Sequence, residues 1–323
     1  MNRTFISCIA AAAMLAGCGG SGDGNGGQTT GPVVYMPIDS NNAVQATGTS
    51  YKAARQSGEF SDYSGDAGFA ANAPGQTAKT GLDFASKAGD PSQVPLPEQR
   101  VPCDVSGEVI FNMDLADPIT PTLSRGDTID IEFDMCIDTV GESTDGRMHF
   151  EVDDFAGDFL SALYDLTMTM TLTDFNVVTQ EDSIMSSGGA TVRIDTVLAP
   201  YVEASVSGDS FTVDTNSASQ SLTNFASTQT FDGNLVPAPY TFSASGTVDS
   251  SELPGAVTYS TPVTFEGFDD DYPSAGEFLV EGENSAAKLV ALSNVDVQIL
   301  IDADGDGVFE GEILTTWAEL DAQ

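Results

Sequence analysis

From about residue 103 onward the chain alternates apolar and polar side chains with period two. Val109, Phe111, Met113 and Leu115 alternate with Glu108, Ile110, Asn112 and Asp114. Ile129, Ile131, Phe133, Met135 and Ile137 alternate with Asp130, Glu132, Asp134, Cys136 and Asp138, and Leu166, Met168, Met170 and Leu172 alternate with the threonines between them. Met148, Phe150 and Val152 oppose Arg147, His149 and Glu151 in the same way. One apolar and one polar face per segment is the pattern of antiparallel strands with one side wet. Further strands are expected over Thr191–Val197, Tyr201–Val206, Ser210–Asp214, Leu222–Phe231, Tyr240–Val248, Ala256–Phe265, Glu277–Glu281, Lys288–Leu292, Val295–Asp302 and Val308–Trp317. Asp145-Gly146, Gly188-Gly189, Gly208-Asp209 and Asp232-Gly233-Asn234 read as turns between them. No strong helical periodicity interrupts this series, so the fold class is mainly β. The pattern predicts a large antiparallel sheet, built either as a sandwich or as an open half barrel; both geometries produce the same alternation.

Residues from about 28 to 100 have a different texture, with Gly, Ser, Ala and Asn followed by Pro91, Pro95, Pro97 and Pro102. Short helices are expected at Tyr51–Gln56 and Gly81–Ala88, within a weakly ordered, partly helical tether. The domain plan is therefore a leader over 1–17, a tether over 18–99 and a β domain over 100–323.

The leader begins with Met1-Asn2-Arg3, continues through an apolar run from Phe5 to Met14, and ends in Leu15-Ala16-Gly17-Cys18. A basic start, a short apolar stretch and small residues at the cut make a secretory signal, too short to span a bilayer. The cysteine after Leu-Ala-Gly resembles the lipobox of bacterial lipoproteins. That resemblance covers the leader only, and it implies cleavage before Cys18 and lipidation of Cys18. Gly19, rather than an aspartate, follows the cysteine, which by the same resemblance directs the protein to the outer membrane, facing either the periplasm or the outside. The Gly-rich run from Gly19 to Gly27 behaves as a flexible coil that would stand a folded body off the lipid surface. The final third is similar to uncharacterised β-rich envelope lipoproteins of proteobacteria in Gly255-Ala256-Val257-Thr258-Tyr259, Ser274-Ala275-Gly276-Glu277-Phe278 and Thr315-Thr316-Trp317; this likeness implies no activity.

Charge narrows the partners. Acidic residues outnumber basic ones 49 to 10, a net of −39. Nucleic acid, which needs a basic face, is excluded as a partner, and binding to anionic lipid by charge is disfavoured. The excess acidity keeps a surface hydrated, and it also suits cations. Cys8 lies within the leader and Cys18 is the lipid site, leaving Cys103 and Cys136 as a disulfide pair in an oxidising envelope. The bridge would close a loop of about 33 residues, worth about 3 to 4 kcal/mol by chain entropy.

The sharpest chemical motif is Asp302-Ala303-Asp304-Gly305-Asp306-Gly307-Val308-Phe309-Glu310-Gly311-Glu312. Carboxylates at alternate positions before a glycine match the first half of a calcium loop. Asp302, Asp304, Asp306, the Val308 carbonyl, Glu310 and Glu312 are the candidate ligands for a structural calcium ion. The twelfth position holds Ile313 instead of a glutamate, and strand-like alternation flanks the loop, so this is no helix–loop–helix unit. The same residues also make a plain Asp-Gly hairpin turn. A second acidic cluster, Glu266 with Asp269, Asp270 and Asp271, reads as a solvated loop, or as an auxiliary cation or sugar site beside Phe268 and Tyr272.

His149, the sole histidine, sits on a polar strand face, and no Gly-x-Ser-x-Gly elbow accompanies it. The expectation is a non-enzymatic protein: an envelope binding or structural module that meets envelope proteins or glycans. One alternative is a carrier or sensor of a hydrophobic ligand, with Phe111, Phe133, Met168 and Met170 lining an open barrel. The other is a cell-surface hydrolase using His149 and the 302–306 aspartates.

Overall fold

The structure is a computed structural model that describes residues 33–59, 98–103, 105–116, 123–139, 142–158, 163–179, 183–268 and 271–322. The expected leader, Cys18, the Gly-rich run and the helix at Gly81–Ala88 lie outside these residues. The elements are α1 (Ala43–Glu59), β1 (Gln99–Pro102), β2 (Ser106–Asp114), β3 (Thr128–Thr139), β4 (Glu142–Asp158), β5 (Leu163–Val178), β6 (Ser183–Asp195) and β7 (Tyr201–Asp214). There follow β8 (Ser219–Asp232), β9 (Pro239–Ser250), β10 (Val257–Phe268), β11 (Ala275–Gly282), β12 (Ser285–Ala291), β13 (Asp296–Asp302), β14 (Gly311–Thr316) and α2 (Trp317–Asp321).

The fourteen strands of the described residues form one antiparallel sheet in sequence order, with β1 and β14 as its two edges. The expected mainly β, antiparallel fold is thus an open, curled sheet; among the described residues there is no second sheet to make a sandwich. Both edges are short strands, and β1 carries Arg100 and Pro102, which limits pairing with other chains.

The strands run longer than the turn signals imply. Gly146, Gly188-Gly189 and Gly208-Asp209 lie inside β4, β6 and β7, so Tyr201–Val206 and Ser210–Asp214 are one strand. These glycines are kinks that carry aromatic rings. Phe211 pairs with Gly188, Phe225 with Gly208 and Tyr259 with Gly246 on adjacent strands. At Gly208 a Cβ would lie 2.5 Å from the Phe225 ring, so the ring lies directly on the backbone. Ring-over-glycine pairs and bulges give a sheet its curvature, whereas a flat sheet would leave its apolar face uncovered. Register shifts occur between Gly189 and Thr191, Thr223 and Ala226, and Ser260 and Phe265, so the crease continues across successive strands.

The inward face follows the alternation: Leu166, Met168, Met170 and Leu172 are buried, as are Met148, Phe150 and Val152. One exception is instructive. Met135 was expected inward and Cys136 outward, but Met135 is 60% exposed and Cys136 is 2% exposed. Met135 adopts φ +47° at a bulge after Phe133, which shifts the alternation by one residue. That slip turns Cys136 toward Cys103, and the two form the expected disulfide, with Cα atoms 5.5 Å apart.

The larger correction concerns the tether. Residues 33–59 are part of the folded body, so its boundary is not at residue 100. Residues 34–36 run beside Ala256, and the Ile38 amide donates to Ser285 Oγ at 2.7 Å. Helix α1 then crosses the inner face from β7 to β13. Over residues 43–57 its buried positions are Ala43, Ala46, Thr47, Gly48, Thr49, Ser50, Tyr51, Ala53, Ala54 and Ser57, nearly all of them small, so the middle of the helix is enclosed on more than one side. Small residues let the helix approach a concave sheet closely. Tyr51 supplies the bulk: its ring lies 4.9 Å from Trp317, 5.5 Å from Phe265 and 5.8 Å from Phe278. Thr316 and Glu319 form a capping box that starts α2 and turns Trp317 into this cluster. The indole Nε1–H donates to the carbonyls of Pro273 and Ser293, each at 3.1 Å.

Candidate functional site

In an antiparallel meander, alternate turns gather at opposite ends of the sheet. The acidic loop between β13 and β14 lies at one end, close to the β11–β12 turn, since Gly305 approaches Asn284. Residues 303–310 form this loop, and β14 begins only at Gly311, later than the expected Val308. The Asp302 carboxylate organises it, accepting from the Gly305 amide at 2.7 Å and the Gly307 amide at 2.9 Å. Desolvation pushes the Asp302 carboxyl up, but these backbone amides outweigh it and hold the group below its ordinary range.

Three of the expected ligands converge: carboxylate oxygens of Asp302, Asp304 and Glu310 lie within 4.8 Å of one another. The others are used differently. Asp306 accepts from the Val308 amide at 2.8 Å, and Glu312 accepts from Gln298 across the β13–β14 pair at 2.8 Å. The Val308 side chain is exposed. Oxygens alone favour a hard cation, and a carboxylate that accepts two amide bonds keeps further lone pairs for a metal. The loop can therefore hold calcium chemically, and it also closes as a turn by its own hydrogen bonds.

In the second acidic cluster, Asp269 and Asp270 lie outside the described residues. Glu266 is exposed, while the Asp271 carbonyl accepts from the Tyr240 hydroxyl at 2.8 Å. Tyr272 offers no free ring: it stacks on Trp317 at 5.6 Å, and its hydroxyl donates to Asp321. Phe268 stays exposed.

The outward face of the sheet is polar. His149 Nδ1 lies 2.8 Å from Asp130, which also binds Arg147. Burial pushes the Asp130 carboxyl up, but the bonds to His149 and Arg147 prevail and hold it below its ordinary range. Rows of hydroxyls continue from there: Thr169, Thr191 and Ser207 are cross-strand neighbours on β5, β6 and β7, and Ser245 and Ser260 pair on β9 and β10. Thr169 Oγ1 donates to Asp153 at 2.7 Å. A shallow groove of about 580 Å³ opens here, between Thr169, Thr191, Ser207, Ser210 and Asn224. The alternation placed Thr169 outward, but Gly208-Asp209 was expected to be a turn, and the groove arises from bulges in this part of the sheet, which alternation does not reveal.

Phe133, Met168 and Met170 are 2%, 6% and 1% exposed, so they fill the sheet core and do not line an open concavity. No helix among the described residues is long and apolar enough to cross a membrane. The chain matches no protein-family model, no curated protein and no solved structure.

Proposed function

We propose that the protein is a lipoprotein anchored in the outer membrane through Cys18, whose β body is a non-enzymatic binding or structural module of the cell envelope. The observation that carries this reading is the outward face: rigid rows of hydroxyls and carboxylates, held in register by the sheet, with the shallow groove at their centre. Hydroxyl and carboxylate pairs at fixed spacing suit the hydroxyls of a glycan or the polar surface of an envelope protein. The acidic loop adds a structural calcium ion held by Asp302, Asp304 and Glu310, stiffening the terminal hairpin without taking part in chemistry. The carrier reading is weaker, because Phe133, Met168 and Met170, three of the four side chains it needs, are buried in the core, and Phe111 is half-buried. The hydrolase reading is weaker too: the 302–306 loop lies at one end of the sheet, while His149 sits on its outer face.

Co-sedimentation with purified peptidoglycan and lipopolysaccharide, together with chemical crosslinking in intact envelopes, tests the binding role. Retention that Thr191→Lys and Ser207→Lys abolish supports it. A body that binds neither glycan and crosslinks to no envelope protein contradicts it. Native mass spectrometry with and without a chelator tests the ion: a calcium mass lost on chelation and in Asp304→Ala is expected, and a bare mass under both conditions removes calcium from the account.

A further inference from the structure

The end of the sheet opposite the acidic loop has a different character. Its β6–β7 turn carries Val197, Leu198 and Tyr201 at 52%, 73% and 58% exposure, and its β8–β9 turn carries Leu235 and Val236 at 53% and 95%. The two turns touch: Gly233 donates to the Pro200 carbonyl at 3.1 Å, and Tyr201 pairs with Asp232. Leu163, also exposed, begins the adjoining β5, where the Tyr164 amide binds Thr196 Oγ1. The outcome is a set of exposed apolar side chains gathered on two neighbouring hairpin tips of a chain whose net charge is −39. Such patches mark contact surfaces.

We propose that this double tip inserts into the surface of a zwitterionic lipid bilayer. The side chains sit on turns at the end of the sheet, with Val236 95% exposed, so a protein partner would need a pocket shaped to them, whereas a bilayer accepts a projecting aliphatic group of any outline. Tyr201 at the base has the apolar body and polar end that suit the lipid–water boundary. The nearest charges lie one or two residues behind the tip: Asp195, Glu203 and Asp232, with Arg193 already bound to Asp165, Asp195 and Glu203. That acidic collar stays in water when the tip enters, and it repels anionic headgroups. It equally repels a second copy of this chain, whose net charge is −39. The contact is separate from any lipid on Cys18, because residues 34–38 join the body at the opposite end, beside Ala256 and Ser285.

The test uses the chain from residue 19 onward, so that neither the apolar leader nor an acyl group contributes, and sedimentation with phosphatidylcholine vesicles. Binding is expected, and it should weaken as phosphatidylglycerol replaces phosphatidylcholine. Leu198→Asp and Val236→Asp should each weaken it at least about tenfold, since burying one aliphatic side chain is worth more than the 1.4 kcal/mol of a tenfold change. Val236→Leu should retain it. Both positions are exposed, so an unchanged circular dichroism spectrum certifies the fold of each variant. Failure to bind phosphatidylcholine, tighter binding to the anionic vesicles, or indifference to both aspartate variants overturns the proposal. Loss of the Cys18 anchor alone would leave it standing.

Discussion

Replacing Tyr51 with alanine should destabilise the whole β body, although the residue lies some fifty positions before the first strand. Tyr51 is 2% exposed and touches three other rings: Trp317, Phe265 and Phe278. Truncating a buried aromatic costs about 3 to 5 kcal/mol, combining lost transfer energy with the cavity left behind. A chain of this size should have a urea slope of about 3 kcal/mol/M, so the unfolding midpoint should fall by about 1 to 1.7 M. Trp317 is the only tryptophan and its ring is 4.9 Å from Tyr51, so its fluorescence reports the event at the site itself. The emission should shift to the red in Tyr51→Ala at zero denaturant. Tyr51→Phe keeps the ring contacts and should stay within about 1.5 kcal/mol of the parent, the worth of a single hydrogen bond. An unchanged midpoint together with unchanged tryptophan emission in Tyr51→Ala would refute the placement of α1 in the core.

Three further outcomes follow from the same geometry. Reducing the Cys103–Cys136 bridge should lower stability by about 3 to 4 kcal/mol for its 33-residue separation, seen as an earlier urea midpoint with dithiothreitol. Gly208→Ala should cost about 1 to 3 kcal/mol by overpacking, because its Cβ would meet the Phe225 ring at 2.5 Å and the Gly189 carbonyl at 2.6 Å; a thermal melt matching the parent would count against the ring-over-glycine crease. Asp130 titrates below its ordinary value of 3.8 in the folded state, so its contribution is complete above that pH and fades as the pH falls through the lower, folded value. Asp130→Asn should therefore be less stable than the parent at pH 7, and the gap should close on acidification below about pH 3.8; a gap independent of pH would contradict the Asp130–His149–Arg147 pairing.

The sheet was legible because its side chains obey a period of two wherever one face is buried, as Met148 to Val152 and Leu166 to Leu172 do. Alternation fails where the backbone departs from the ladder. At Met135 a single left-handed residue exchanged the faces of Met135 and Cys136, and nothing in the local pattern marks such a bulge. Gly188 and Gly208 were misleading for a related reason: glycine signals both a turn and a place where a ring rests on a strand, and only the partner strand distinguishes them. Helix α1 was legible only as the short helix at Tyr51–Gln56; its start at Ala43 and its place in the core were not, because its buried positions apart from Tyr51 are Ala, Thr, Ser and Gly, which give no strong apolar stripe. The acidic loop was legible as a carboxylate cluster, since Asp302, Asp304 and Glu310 do converge. Its internal hydrogen bonding was not, because Asp306 and Glu312 are diverted by partners that the spacing alone cannot show. The apolar tip drew no attention because Leu198 and Val236 belong to separate turns, and only the sheet order brings them together.

The measurement that bears most directly on the account is the intact mass of the protein extracted from its native membranes, with the Cys18→Ala variant in parallel. A chain beginning at Cys18 with the added mass of acyl groups, held in the outer-membrane fraction, is expected, and so is a variant that loses both the added mass and the firm attachment. A chain cut elsewhere or carrying no acyl mass, with the same distribution for parent and variant, would contradict it.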